Sequence, residues 1–72
     1  MQVLIFKTNI DNQGRLRHIS PLFANHPQVR DWSVDLEDCD HVLRIVAKPT
    51  LNEGSIIYLI NTCGYQCELL TN

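Results

Sequence analysis

The chain has 72 residues, of which 44% are hydrophobic and 19% charged, and its formal net charge is −2 at pH 7. This length allows one domain, which we expect over residues 1–72, and no apolar run approaches the ~18 residues of a membrane span. The net negative charge argues against a nucleic-acid-binding protein, which needs clustered Lys and Arg to neutralise phosphates.

Cysteine use indicates a reducing compartment. The chain has three cysteines, an odd number that excludes a complete set of disulfides and makes reduced thiols the simpler interpretation. The N-terminus also lacks the charged and then apolar segment of a secretory signal. We therefore expect a cytoplasmic protein that does not act at a membrane.

The first half of the chain predicts a strand, a helix and a second strand. Residues 2–8 alternate in the manner of a strand whose two faces are both partly apolar. From residue 12 to 25, apolar side chains recur at three- and four-residue steps and form one stripe of a helix. The stripe consists of Leu16, Ile19, Leu22, Phe23 and His26. Pro21 lies within it and lacks a backbone N–H, which predicts a kink or a loosened turn. Residues 32–36 then alternate as a strand with one polar face.

The second half predicts a strand, a helix and a last strand. Residues 41–48 alternate as a strand, and residues 50–53 form a capping box, in which the Thr50 hydroxyl and the Glu53 carboxylate bind free amides at the helix start. The buried stripe of this helix consists of Ile56, Leu59, Ile60 and Cys63. Gly64 is placed for a left-handed helix stop, and residues 65–70 form the last strand. The order β-α-β-β-α-β predicts a ferredoxin-like α+β fold, a four-stranded antiparallel sheet with both helices on one face.

Five segments together resemble one known family. They are the strand end Phe-Lys-Thr-Asn-Ile at 6–10, the helix that ends before Pro27, and the segments 32–36, 43–45 and 63–69. They are similar to the heavy-metal-associated (HMA) domains, which are copper-chaperone-like modules, and the resemblance covers essentially the whole chain. It implies the ferredoxin-like fold and, in that family, a Cys-x-x-Cys clamp for copper in the loop after the first strand.

The two clamp positions are Asn12 and Arg15 in this chain. In the family, the first clamp cysteine lies two residues beyond the strand end and the second lies three residues further on. Asparagine is a poor neutral ligand and arginine is a permanent cation, whereas monovalent copper prefers two thiolates. The sequence therefore predicts that the family's metal site is degenerate and that the chain has no cofactor.

The remaining cysteines leave a second metal site open as a hypothesis. Strand directions bring Cys39 and the turn from Cys63 to Cys67 to the same edge of the sheet as the loop after the first strand, with His41 beside Cys39. Thiolate and imidazole together suit copper or zinc. The alternative is that Cys63 and Cys67 are small buried hydrophobic residues. Cys39, in an exposed turn, is then the best candidate for a ligating or reactive thiol.

The histidines and the acidic turn predict structural roles. His18 lies off the apolar stripe and should face solvent, whereas His26 should cap carbonyls at the end of the first helix. Four acids lie close together in one turn: Asp35, Glu37, Asp38 and Asp40. This turn lacks the ordered spacing and the glycine of a calcium loop, so we expect a solvated hairpin tip.

A group of polar and basic residues lies near the start of the first helix, and we expect it to bind a partner. The group consists of Lys7, Asn12, Arg15 and Arg17. Cations there oppose the helix dipole, which prefers carboxylates. Together with the helix amides they suit an anion or an acidic patch on another protein. The alternative is that solvent screens these charges.

Two functions therefore remain open. The first is a protein-interaction module that lacks the family's metal site, and the second is a copper- or zinc-binding protein with relocated ligands. An enzyme is not expected, because the chain has no paired Ser-His-Asp or Cys-His motif and no glycine-rich phosphate loop. A homodimer formed through exposed sheet edges is compatible with either function.

Overall fold

In the computed structural model, which describes residues 1–70, six elements follow the predicted order. They are β1 (Gln2–Thr8), α1 (Gln13–Ala24), β2 (Val29–Val34), β3 (Leu43–Ala47), α2 (Glu53–Thr62) and β4 (Cys67–Leu69). The four strands form one sheet in the order β2-β3-β1-β4, and every neighbouring pair is antiparallel. This arrangement confirms the predicted ferredoxin-like fold.

The core lies between one face of the sheet and the two helices. Alternation along the central strands directs Phe6 of β1 and Ile45 of β3 inward, while Lys7 and Arg44 point outward. The buried apolar side chains form one cluster, which consists of Phe6, Ile10, Ile19, Phe23, Leu43, Ile45, Ala47, Leu51, Ile56 and Ile60. Since both helices contribute to this single cluster, they cover the same face of the sheet.

The predicted bounds agree with the structure for β1 and within a residue for α1, whereas β2 lies nearer the N-terminus than predicted and β3 and β4 are shorter than predicted. β2 begins at Val29, where its register against β3 shifts, and ends at Val34, so Leu36 lies in the following turn. α1 continues through Pro21, which is exposed, and the proline removes one backbone donor without ending the helix. Among residues 1–70, no helix has the length and apolar character that crossing a membrane would require.

The start of α2 differs from the predicted capping box. Asn52 is the N-cap, and its Oδ1 accepts a hydrogen bond from the Gly54 amide at 2.6 Å. The Thr50 hydroxyl instead accepts a hydrogen bond from Gln28 at 3.0 Å. The reason is that Leu51 is buried in the core, so the helix begins only after it, and asparagine caps at least as well as threonine.

The end of α2 forms the predicted left-handed stop. Gly64 has φ +89°, which a residue with a Cβ rarely adopts. The Gly64 amide donates to the Asn61 carbonyl and the Tyr65 amide donates to the Ile60 carbonyl, which is the Schellman pattern. This stop turns the chain sharply from α2 into β4.

Candidate functional site

Three connections meet at one edge of the sheet, as the strand directions predict. They are residues 9–12, 35–42 and 63–66, and we call them together the rim. The Thr8 hydroxyl donates to the His41 carbonyl at 2.6 Å, and the Thr8 amide donates to the Asp40 carbonyl at 3.1 Å. On the other side, the Gln66 amide donates to Asn9 Oδ1 at 2.8 Å. The end of β1 and the loop that follows it are therefore hydrogen-bonded to the two neighbouring turns, one through Thr8 and the other through Asn9.

The two clamp positions have structural roles in this chain. Asn12 is the N-cap of α1, and its Oδ1 accepts a hydrogen bond from the Arg15 amide at 2.9 Å. The Arg15 guanidinium donates to the Asn9 carbonyl at 3.1 Å and lies 3.3 Å from the Asp11 carboxylate. It also lies 5.9 Å from the centre of the Tyr65 ring. A hydrogen-bonded cation thus stands where the resemblance implies a thiolate.

Tyr65 connects the rim to α1 a second time. Its hydroxyl lies 2.9 Å from Nδ1 of His18, and the two rings meet edge to face with 5.7 Å between their centres. His18 is exposed, as predicted, but it has this partner as well. The sequence did not predict the roles of Asn9 and Tyr65, although asparagine side chains in turns commonly bind nearby backbone and a partly buried tyrosine hydroxyl usually finds a hydrogen-bond partner.

The three cysteines lie at or beside the rim but differ in exposure. All three are free thiols; Cys39 is exposed, whereas Cys63 and Cys67 are half-buried and pack against the core. Within residues 1–70, the ligand-type side chains that come within 4.8 Å of one another in a group of three are Asp38, Cys39 and Asp40. His41, Cys63 and Cys67 are not in that group, so the fold brings the predicted alternative ligands to one edge without gathering them around one point.

Cys67 is also a poor ligand at neutral pH. Burial, with a smaller contribution from the Glu68 carboxylate, raises the pKa of the Cys67 thiol to about 12. Metals bind the thiolate, so the proton would have to be displaced first. This favours the interpretation of Cys67 as a core residue.

His41 and His26 lie in connections between helices and strands, and neither lies in a cluster of metal-ligand side chains among residues 1–70. His41 has φ +43°, which is uncommon for a residue other than glycine, and its buried Nδ1 has no hydrogen-bond partner. The prediction that His26 caps the carbonyls of α1 is wrong. Its Nδ1 accepts a hydrogen bond from the Gln28 amide at 3.1 Å, because His26 lies beyond the end of α1 and its ring turns towards the following turn.

Most of the charges at the rim are used within the chain. Lys7 lies 3.8 Å from the Asp40 carboxylate. Asp35 and Asp38 each accept a hydrogen bond from the amide two residues further on, so they shape the acidic turn. Arg17 is exposed and, over residues 1–70, forms no ion pair. Among the predicted partner-binding residues, Arg17 is therefore the one whose charge is available.

The comparison with solved structures decides which fold this is. A chain of the Atx1–Cu(I)–Ccc2a complex superposes with a TM-score of 0.84 over 99% of this chain and 97% of that one, at 17% identity. The yeast copper transporter domain Ccc2a gives 0.83 over 99% and 97%, also at 17% identity. The HMA domain of the copper chaperone for superoxide dismutase gives 0.79 over 96% of this chain and 66% of that one, at 22% identity.

This chain has the HMA fold. At these identities the likeness concerns the fold alone, and it confirms the fold that the sequence resemblance implies. No protein-family model and no curated protein matches the chain. The function of this HMA fold must therefore be inferred from its own rim.

Proposed function

We propose that this chain is a non-enzymatic protein-interaction module that docks on a partner protein through the rim. The observation that carries the proposal is the occupation of both clamp positions: Asn12 caps α1, and Arg15 is bound to Asn9 and Asp11. The surface around these positions is thus retained, with an asparagine and an arginine in place of the two thiolates of the family's clamp. One of the similar structures is a complex of two proteins, Atx1 and Ccc2a, with Cu(I).

The contact residues follow from position and charge. The partner-binding set is Lys7, Asn12, Arg15 and Arg17, all at or beside the start of α1. Arg17 is exposed and forms no ion pair within residues 1–70, so it is the residue we expect to contact an acidic group of the partner. Such charges affect mainly the association rate and the choice of partner.

The alternative function, copper or zinc binding through relocated ligands, has less support. Its candidate ligands are Cys39, Cys63, Cys67 and His41. Copper in the monovalent state needs a second soft donor near Cys39, and the side chains that approach it are two carboxylates, Asp38 and Asp40. Burial raises the pKa of the Cys67 thiol to about 12, which makes the metal-binding thiolate harder to form than at an exposed cysteine.

The cellular setting belongs to the same proposal. We infer a cytoplasmic protein, because the three free thiols suit a reducing compartment. Neither nucleic acid nor a membrane is a proposed partner. β2 and β4 are the two edge strands of the sheet, and a homodimer would pair through one of them. The oligomeric state is therefore measured in the same experiments as partner binding.

Site-specific photo-crosslinking tests the docking surface. A photoreactive residue replaces Arg17, near the start of α1, or, as the control, Lys48 at the opposite edge of the sheet. The proposal expects one defined protein adduct from position 17 and none from position 48. Arg17→Glu should weaken binding of that partner by about tenfold, the size expected for a charge reversal worth about 1.4 kcal/mol.

The matched control is Arg30→Glu, since Arg30 is also exposed but lies at the start of β2, away from the rim. Equal losses of binding in both variants would mean that net charge, rather than the rim, drives the association. A reduced sample that takes up copper or zinc in competition with a chelator, and loses this ability in Cys39→Ser, would instead support the metal-binding function.

A further inference from the structure

Arg15 lies where a helix does not favour a cation. It is in the first turn of α1, where the backbone amides give the helix a positive end, and that turn has no acidic residue. A surface lysine or arginine in such a position is usually free to turn away into solvent. The Arg15 side chain does not extend into solvent: it is only partly exposed and contacts Asn9, Asp11 and Tyr65.

The contacts of Arg15 join two separate parts of the rim. Its Nη1 donates to the Asn9 carbonyl at 3.1 Å and lies 3.3 Å from Asp11 Oδ1, both in the loop after β1. The guanidinium also lies 5.9 Å from the centre of the Tyr65 ring, within the range of a cation–π contact. One planar cation therefore contacts the loop after β1 and the turn before β4.

Asn9 extends this connection to the backbone of the turn before β4. While its carbonyl accepts from Arg15, its side-chain Oδ1 accepts from the Gln66 amide at 2.8 Å. Tyr65, next to Gln66, is bound in turn by His18. Asn9 and Tyr65 both contact the Arg15 guanidinium, and Asn9 also accepts the hydrogen bond from the Gln66 amide. The contacts of Arg15 are therefore connected to the bond that joins the loop after β1 to the turn before β4.

We propose that Arg15 is a built-in cation that holds residues 9–12 and 63–66 together, so that this part of the rim is ordered without a bound metal ion. The positive charge between these two connections is satisfied by a carbonyl, a carboxylate and an aromatic ring of the same chain. The inference concerns the order of the rim alone and does not depend on whether a protein partner exists.

The test is amide hydrogen exchange of the whole chain, followed by NMR in the presence of a metal chelator. The Gln66 amide reports on its bond to Asn9, and the Ile45 amide in the central strand β3 reports on global opening. In the unmodified protein we expect Gln66 to be protected despite the chelator. Arg15→Met keeps the length of the side-chain stem and removes the guanidinium, and it should speed Gln66 exchange about tenfold relative to Ile45, as expected for the loss of about one hydrogen bond.

Two further variants separate a local role from a general one. Arg15→Lys retains a charge and a donor but not the planar group, so it should restore part of the protection. Arg17→Met removes an exposed arginine of the same helix and should leave Gln66 unchanged. The proposal is overturned if Gln66 exchanges freely in the unmodified protein with chelator, if Arg15→Met changes Gln66 only in proportion to Ile45, or if Arg17→Met has the same effect.

Discussion

The two helices begin with the same cap but in opposite electrostatic settings. Asn12 and Asn52 are both N-caps whose side-chain oxygen accepts an amide of the first turn. α2 then has Glu53 at its first position, which suits the helix dipole, whereas α1 has no acid in its first turn and has Arg15 there. The acid at the start of α2 is the residue type that helix stability favours there. The cations at the start of α1 do not stabilise the helix, so we infer that they serve another role, such as contacts outside the helix.

Restoring the family's clamp would change the start of α1 most. The double variant Asn12→Cys/Arg15→Cys supplies two thiolates and removes the cation, so we expect it to retain a stoichiometric amount of Cu(I), whereas we expect none to be retained by the unmodified chain. Competition with a copper(I) chelator under reducing conditions measures this. Asn12→Ser/Arg15→Ser, which removes the same groups without adding thiols, is the control. Equal copper uptake by the control would contradict our interpretation of the rim.

Alkaline pH should lower the free energy of unfolding through Cys67. Below pH 9 the thiol is protonated in both states, since its ordinary pKa is 9.0. From there to about 12 the unfolded chain loses the proton while the folded chain keeps it, so the free energy of unfolding falls as pH rises. Urea unfolding between pH 8 and about pH 11, for the unmodified chain and Cys67→Ala, measures the difference. Parallel curves for the two proteins would show that burial of this thiol has no such effect.

The two caps should have similar energies and different local consequences. Asn12→Ala and Asn52→Ala should each lower the free energy of unfolding by about 1 kcal/mol, the usual cost of losing an N-cap. Only Asn12→Ala should also speed amide exchange at residues 9–12, because its helix start is part of the rim. Denaturant unfolding gives the first quantity and hydrogen exchange the second. A local change of the same size around residues 50–52 in Asn52→Ala would remove the distinction between the two helix starts.

The smallest expected effect is an exchange of charge at the first position of each helix. Gln13→Glu should raise the free energy of unfolding and Glu53→Gln should lower it, each by about 0.5 kcal/mol, because a carboxylate there interacts favourably with the dipole. Thermal unfolding at low and high salt checks both signs, and high salt should reduce both effects. If Gln13→Glu instead lowered the free energy of unfolding, the absence of acids from the first turn of α1 would be explained by the stability of the fold.

Patterns of short range were enough to predict most of the fold. Alternation fixed β1 at Gln2–Thr8, and the preference of Gly64 for a left-handed conformation marked the end of α2. The start of α2 was misplaced because Thr50 and Asn52 are both good caps, and burial of Leu51 decides between them. Burial depends on packing, which a local pattern does not contain.

The site was less predictable than the fold for a similar reason. The sequence showed that Asn12 and Arg15 occupy the clamp positions, but not what they do there. The bond from the Gln66 amide to Asn9 joins residues 57 positions apart, and the approach of Arg15 to Tyr65 spans nearly as far. Such contacts depend on side-chain conformations at a meeting point of three turns. Proximity at the rim was predictable from strand direction, whereas the choice of partners was not.

The guanidinium at the rim has a consequence for how the surface responds to its surroundings. A metal ion can be removed by a competing ligand, exchanged between proteins or lost when its thiolates are oxidised. Arg15 is covalently part of the chain, so it can be neither removed by a competing ligand nor exchanged between proteins. The positive charge that Arg15 supplies beside residues 9–12 and 63–66 is therefore built into the chain and does not depend on a supply of copper.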